Sequence, residues 1–332
     1  MLTQIRTLRW WIWGLVCICN IQYGSAQELL VNVYGRQYTL LNGKWNAIID
    51  PYQQGRKTAI YRNRALKDKA DFKEYAFEGG LRLNVPSDWN SQIPELKYYE
   101  GTMWYARKFE INKKSDENLF LYFGAVNYRC RVYLNGTLIG SHEGGFTPFQ
   151  FNVTNVVKEG GNFLAVEVDN TRTADAIPAL SFDWWNYGGI TRDVMLVHTP
   201  KNYIRDYFIQ LDKYDSDRVH AEVQLSAQNA GQLVKIEIPE LKIANKVFTD
   251  GTGLAKATFR VRNLERWSPQ APKLYQVIVS SEVDEVKENI GFRNLYVKNT
   301  QIYLNDSPVF MKSIGSVSYT HLRAHETVLD LV

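Results

Sequence analysis

From Gln27 to about Pro200 apolar residues recur at every second position, the period of a strand and not of a helix. Leu164, Val166 and Val168 share one face of Phe163–Val168, and Phe149, Phe151 and Val153 alternate with polar neighbours. In Arg129–Leu134 the shared face is Cys130, Val132 and Leu134. That run stops at Asn135-Gly136, a dipeptide that accepts the positive φ angles of a tight hairpin. Asn42-Gly43 and Asn305-Asp306 punctuate other apolar runs. Short strands divided by turn signals predict an antiparallel sandwich, and no amphipathic helix of three turns or more competes.

A second β segment follows Pro200. Val219, Ala221, Val223 and Leu225 alternate, as do Val234–Ile238 and Leu274–Val279, and Asp250-Gly251 predicts a further hairpin. Six or seven short strands in about a hundred residues fit an immunoglobulin-like sandwich. The division falls near Thr199-Pro200, with Tyr203–Leu211 able to belong to either side.

The first residues break the pattern. Met1–Trp10 carries Arg6 and Arg9 without an acid, Trp10–Cys19 is apolar, and Gly24-Ser25-Ala26 has small side chains. That order predicts a secretory signal peptide over residues 1–26 and an exported, periplasmic or extracellular protein. A membrane anchor needs about 20 apolar residues, and Asn20 and Gln22 stop this run short, so no membrane association is expected of the mature form.

Without the leader the formal charge falls from +4 to about +2, too little to suggest a nucleic-acid partner. Of the 3 cysteines only Cys130 then remains, so no internal disulfide forms and the fold rests on its core. Cys130 is expected to be buried packing. Plentiful aromatic residues (20 Tyr, 15 Phe, 9 Trp) beside 4 Met agree with β structure.

Seven motifs then follow in order: Leu41-Asn42-Gly43-Lys44-Trp45, Val85-Pro86-Ser87-Asp88-Trp89-Asn90, Tyr99–Phe109, Val132–Gly136, His142–Phe149, Asn162–Asn170 and Asp183–Val194. Together they resemble the amino-terminal sugar-binding domain of glycoside hydrolase family 2, in its β-glucuronidase and β-galactosidase group. Ile93–Leu96 and the Tyr99–Tyr105 run resemble β-glucuronidases more. The resemblance implies an all-β chain. A jelly-roll, galactose-binding-like sandwich would span 27–200 and an immunoglobulin-like sandwich 201–297. Only the start of a (β/α)₈ barrel, over 298–315, would follow. Residues 316–332 resemble translated non-genomic sequence joined to a broken gene end, and are expected to be non-native.

The resemblance also implies retaining hydrolysis of terminal β-linked sugars, which needs two carboxyl groups about 5–5.5 Å apart. In the family both are barrel glutamates, the acid/base directly after an Asn, and no Asn-Glu dipeptide occurs in this chain. The expectation is therefore an inactive amino-terminal fragment with no catalytic residue of its own. Glu143, Asp169 and Asp183 are acids at strand ends or loops. Only Asp183 is assigned a role, and that by the resemblance: contact with the terminal sugar, with Trp184 or Trp185 stacking and at least one of them core. The rival for Asp183 is a turn cap or a pair with Arg192.

Trp45, Trp89 and Trp104 are expected in the core. Gly144-Gly145 and Gly188-Gly189 should relieve corners, not cradle phosphate. His321 and His325 with Glu326 have metal-ligand spacing but lie in the suspect tail, so no metal and no cofactor is assigned. The partner is a carbohydrate, and a homo-oligomer of the intact enzyme stays open. The alternatives are a non-catalytic carbohydrate-binding or adhesion protein, or part of a β-galactosidase or β-mannosidase.

Overall fold

The computed structural model describes residues 29–64, 76–182 and 184–310. The expected leader, the tail with His321, His325 and Glu326, and Asp183 lie outside the described residues. What is described is β structure with single 3-10 turns such as Pro94–Leu96 and Pro239–Leu241.

The first sandwich packs a six-stranded sheet on a four-stranded one, every pairing antiparallel. The larger sheet runs, edge to edge, Leu81–Val85, Gly43–Ile49, Thr102–Ile111, Gly160–Asp169, Arg129–Leu134, Thr137–Glu143. The smaller runs Tyr38–Leu40, Val194–Pro200, Glu117–Phe123, Phe149–Asn152. Leu164, Val166 and Val168 meet Cys130, Val132, Trp45, Leu121 and Phe123 between the sheets. Burying each such side chain contributes roughly 1.5–3 kcal/mol, so the period-two pattern fixes which face turns inward. Cys130 is buried there, and burial pushes its thiol up to about 12. It behaves as a small hydrophobe.

The outer face of the six-stranded sheet is partly covered as well. The segment around Ile60, with Phe77, packs on Trp104, Ala165 and Tyr133. Asp50 holds it: Oδ2 accepts the Trp104 indole N–H at 3.0 Å and the Gly55 amide at 2.8 Å. A Cβ on Gly55 would lie 2.3 Å from Trp104 Nε1, so only glycine lets this backbone approach. Trp45, Trp89 and Trp104 are each fully buried.

Asn135 and Gly136 have φ of 52° and 81° and join Leu134 to Thr137, the tight hairpin the dipeptide signals. Asn305 and Asp306, at 50° and 70°, close a second turn. Asp250-Gly251 corrects its expectation. It joins Ile243–Phe248 of one sheet to Leu254–Arg260 of the other, so no hairpin forms. Asp250 Oδ1 caps the turn by accepting from the Thr252 and Leu254 amides. A local turn signal says nothing about which strand each arm will pair with.

The second sandwich sets Ile204–Leu211, Arg218–Leu225 and Leu254–Arg260 against Ile243–Phe248, Leu233–Ile238, Tyr275–Ser280 and Glu285–Ile290. Its core includes Val223, Ile236, Val277 and Phe292. The segment that fitted either side divides: Ile204–Leu211 pairs with Arg218–Leu225, whereas the Tyr203 ring packs edge-on against Phe120 of the first sandwich. A small meander of Leu295–Lys298, Gln301–Leu304 and Ser307–Pro308 straddles the expected division at 297, and no barrel is formed among the described residues.

A strap ahead of the first strand joins the two sandwiches. Leu30 and Val33 pack on Tyr122 and Val197 of the first, and Arg36 reaches into the second. Its Nη1 meets Asp284 Oδ2 at 2.9 Å and its Nη2 donates to the Ile204 carbonyl at 2.7 Å.

Candidate functional site

The segment from Asn170 to Ile190 leaves the six-stranded sheet, loops outward and returns as a two-residue strand. That strand, Gly189–Ile190, pairs with Ser87–Asp88 and Val126–Asn127. Four buried asparagines fix the return. Asn170 and Asn186 each donate to the other's carbonyl at 2.6 Å. Asn127 Nδ2 donates to Asn186 Oδ1 at 2.8 Å and also to the Tyr187 carbonyl. Asn90 Oδ1 accepts from the Gly188 amide at 2.9 Å, while its Nδ2 donates to the Leu96 and Tyr99 carbonyls. An amide offers donors and acceptors together, which suits it to pinning irregular backbone that no sheet ladder satisfies.

The double glycine is required by space here. A Cβ on Gly188 would lie 2.1 Å from the Trp89 ring, and Gly189 has φ +150° with the Ser87 carbonyl 2.6 Å from its Cβ position. On this rigid root stands an aromatic surface. Ile177, Leu180 and Tyr187 are exposed. Trp184 packs edge-on to Phe182 at 4.5 Å; Trp185 packs edge-on to Tyr98 at 5.8 Å, with the Arg172 guanidinium 5.2 Å above it. Arg172 is held by Glu100 at 3.1 Å. Both tryptophans are half-buried and neither belongs to a core cluster, which corrects the expectation that at least one is core. A rigid loop rim cannot fold its aromatic rings into a sandwich whose inner face is already filled. The Trp185 indole N–H is buried with no acceptor among the described residues. Asp183 falls between these neighbours, outside the described residues.

Glu143 and Asp169 come together elsewhere, on the open part of the six-stranded sheet's outer face. Asp169, Arg129 and Glu143 sit directly opposite one another on three adjacent strands, and Glu167, Arg131 and Ser141 form the next row. Arg129 lies 3.4 Å from Glu143 and donates to Thr173 Oγ1 at 2.8 Å. Glu167 Oε1 is 3.1 Å from Arg56 and 3.6 Å from Arg131. Burial pushes the Glu167 carboxyl up, and the two guanidiniums only partly offset this. No group of three or more metal-ligating side chains occurs among the described residues.

A family model described as "Glycosyl hydrolases family 2, sugar binding domain" matches residues 39–200, and "Glycosyl hydrolases family 2" matches 202–293. The two meet at the division between the sandwiches. The chain belongs to glycoside hydrolase family 2.

The fold of this family 2 chain is similar to that of a β-glucuronidase from an uncultured Clostridium sp., with a TM-score of 0.72 and 29% identity, covering 86% of this chain and 50% of that one. A putative β-glucuronidase of Formosa agariphila is 28% identical over 69% of this chain and 30% of its own. A β-galactosidase of Thermoanaerobacter pseudethanolicus is 28% identical over 77% and 37%. The chain therefore spans half or less of the length of these glycoside hydrolases.

Family motifs in the sequence mark the Asp183–Tyr187 loop and contain Asn90, Asn170 and Asn186, but do not show that these hold it, and Asn127 lies outside them. Asn127, Asn170 and Asn186 are up to 59 positions apart in hydrogen-bonded contact. Arg129 and Arg131 lie outside the family motifs, and Glu167 lies inside one that assigns it no role. Charges two apart on strands whose other face is apolar would have signalled a charged outer face.

Proposed function

We propose that this chain is the amino-terminal, sugar-positioning part of an exported retaining glycoside hydrolase acting on terminal β-linked sugars, a β-glucuronidase. The observation that carries this reading is the 170–190 loop: Asn90, Asn127, Asn170 and Asn186 hold its return while it presents the aromatic side chains of Phe182, Trp184 and Tyr187, the sequence neighbours of Asp183. Rigid placement of a sugar ring lowers the barrier to attack without touching the anomeric carbon. An ionised Asp183 accepts from two sugar hydroxyls, and Trp184 or Trp185 offers a ring face.

The two carboxyl groups of retaining hydrolysis belong to a domain beyond the described residues, so the chain alone is inactive. The similarity to a β-galactosidase at the same 28% identity favours a galactoside-acting enzyme as the second reading.

The test begins with the genomic sequence beyond the codon for Gly315. Expression of the longer product should yield hydrolysis of p-nitrophenyl β-D-glucuronide in preference to the galactoside, while the present chain turns over neither. In the longer product Asp183→Ala should raise KM without loss of thermal stability. A stop codon at that point, turnover by the present chain, or unchanged kinetics in Asp183→Ala would each overturn the reading.

A further inference from the structure

The two charged rows on the sheet's outer face line a groove of about 340 Å³, closed on one side by Gln53 and Arg56 of the covering segment. Its lining holds three guanidiniums and three carboxylates, so it carries no net charge. Glu167 is the unsatisfied member. Its side chain is 5% exposed, and its Oε2 is buried without a hydrogen-bond donor among the described residues. A buried carboxylate oxygen lacking a donor is unfavourable, and a donor from the groove reaches it once a neighbouring side chain moves aside.

The donor sources at hand are Arg56 and Arg131, both engaged with Oε1 and both more than two-fifths exposed. Their remaining N–H groups lie beside the carboxylate that needs a partner. A hydroxyl matches this pairing, because it donates to a carboxylate and accepts from a guanidinium at once. Vicinal hydroxyls on a sugar ring repeat that pattern at neighbouring positions. A charged sugar's carboxylate would face Glu143 and Asp169, with no surplus positive charge in the lining to offset them.

We propose that this groove is a second sugar site, distinct from the 170–190 loop, that takes an uncharged hexopyranose through vicinal hydroxyls. Glu167 accepts from one hydroxyl, Arg131 donates to its neighbour, and Ser141 on the edge strand bonds the ring's outer side. Arg129, committed to Glu143 and to the Thr171 and Thr173 oxygens, is the fixed wall of the groove. The exposed Arg56 side chain is the part that swings to admit the ring. The site stands apart from the catalytic reading and does not depend on it.

Amide NMR of the full chain, titrated with methyl β-D-galactopyranoside and methyl β-D-glucopyranoside, tests the proposal. Saturable shifts are expected at Arg131, Ser141, Glu143 and Glu167, with methyl β-D-glucuronide binding more weakly. Glu167→Gln should weaken the neutral glycosides about tenfold or more. Ser141 is exposed, so Ser141→Trp fills the groove without touching the core and decides the matter if Glu167→Gln does not fold. The proposal is overturned by no saturable shift with either neutral glycoside, by tighter binding of the glucuronide, or by unchanged affinity in Ser141→Trp. Shifts confined to residues 184–187 would also overturn it, while leaving the loop's role in the proposed function standing.

Discussion

Removing the Asp284 carboxylate should uncouple the two sandwiches. Arg36 and Asp284 side chains are 3% and 8% exposed, and they meet at 2.9 Å across the junction. Asp284 Oδ2 also accepts the Ile204 amide at 2.8 Å, so one oxygen serves both the strap and the first strand of the second sandwich. Asp284→Ala leaves a buried guanidinium without a counter-charge and the Ile204 amide without an acceptor. Breaking a buried pair from one side costs about 3–5 kcal/mol. At about 2–4 °C per kcal/mol for a protein of this size, Tm should fall by roughly 6–20 °C. Calorimetry should resolve the loss into two transitions, the second sandwich melting first, because the junction is what makes melting concerted. Arg36→Met in the same background should restore part of the loss by removing the orphaned cation. Coupling of this kind is typically about 0.5–3 kcal/mol. The reasoning fails if Asp284→Ala costs less than about 1 kcal/mol, or if the two substitutions add without coupling.

Two further outcomes follow from the first sandwich. Gly188→Ala should destabilise by about 1–3 kcal/mol in urea unfolding, because its methyl group runs into the Trp89 ring; Gly251→Ala, with nothing within 4 Å, should change stability by less than about 0.5 kcal/mol, and equal effects would refute the steric argument. Glu117 is buried, which alone raises its carboxyl, yet hydrogen bonds from His198 at 2.9 Å and the Lys114 amide at 2.9 Å bring it below the usual range. A depressed folded-state pKa contributes stability that is present above the unfolded value and is lost as pH falls through the folded one, here below the ordinary glutamate range. Glu117→Gln should flatten that acid limb of a stability–pH profile and cost about 1.5–3 kcal/mol at neutral pH; an unchanged acid limb would count against the pair.

What the sequence revealed and what it hid divide along the range of the interaction. Leu164, Val166 and Val168 announce their own face, because alternation and burial are properties of one strand. Asn135-Gly136 announces its hairpin, because both arms lie beside it in the chain. Asp250-Gly251 carries the same local signal and crosses between sheets, since partner choice is settled by Phe248 facing Leu233 and Leu254 facing Gln224. Arg36 is 248 positions from Asp284, and nothing near either residue foretells the pair. The candidate loop was legible as a run of family residues from Asp183 to Tyr187. The anchoring role of its four asparagines was not, although Asn90, Asn170 and Asn186 stand in family motifs, because an asparagine that caps a turn and one that pins a distant strand look alike in sequence.

The pairing of Tyr38–Leu40 with Val194–Pro200 makes the first and last strands of the jelly roll neighbours, Tyr38 opposite Val197. A chain made from its amino terminus must hold its opening strand in waiting until some 160 later residues have emerged, about 8–32 s at ordinary rates of synthesis. During that interval the sheet has an open edge that accepts any extended partner. The opening strand is only 3 residues long, with two of its three side chains exposed. So short a ladder is weak bait for a wrong partner, and the domain is sealed by its last strand, not nucleated by its first.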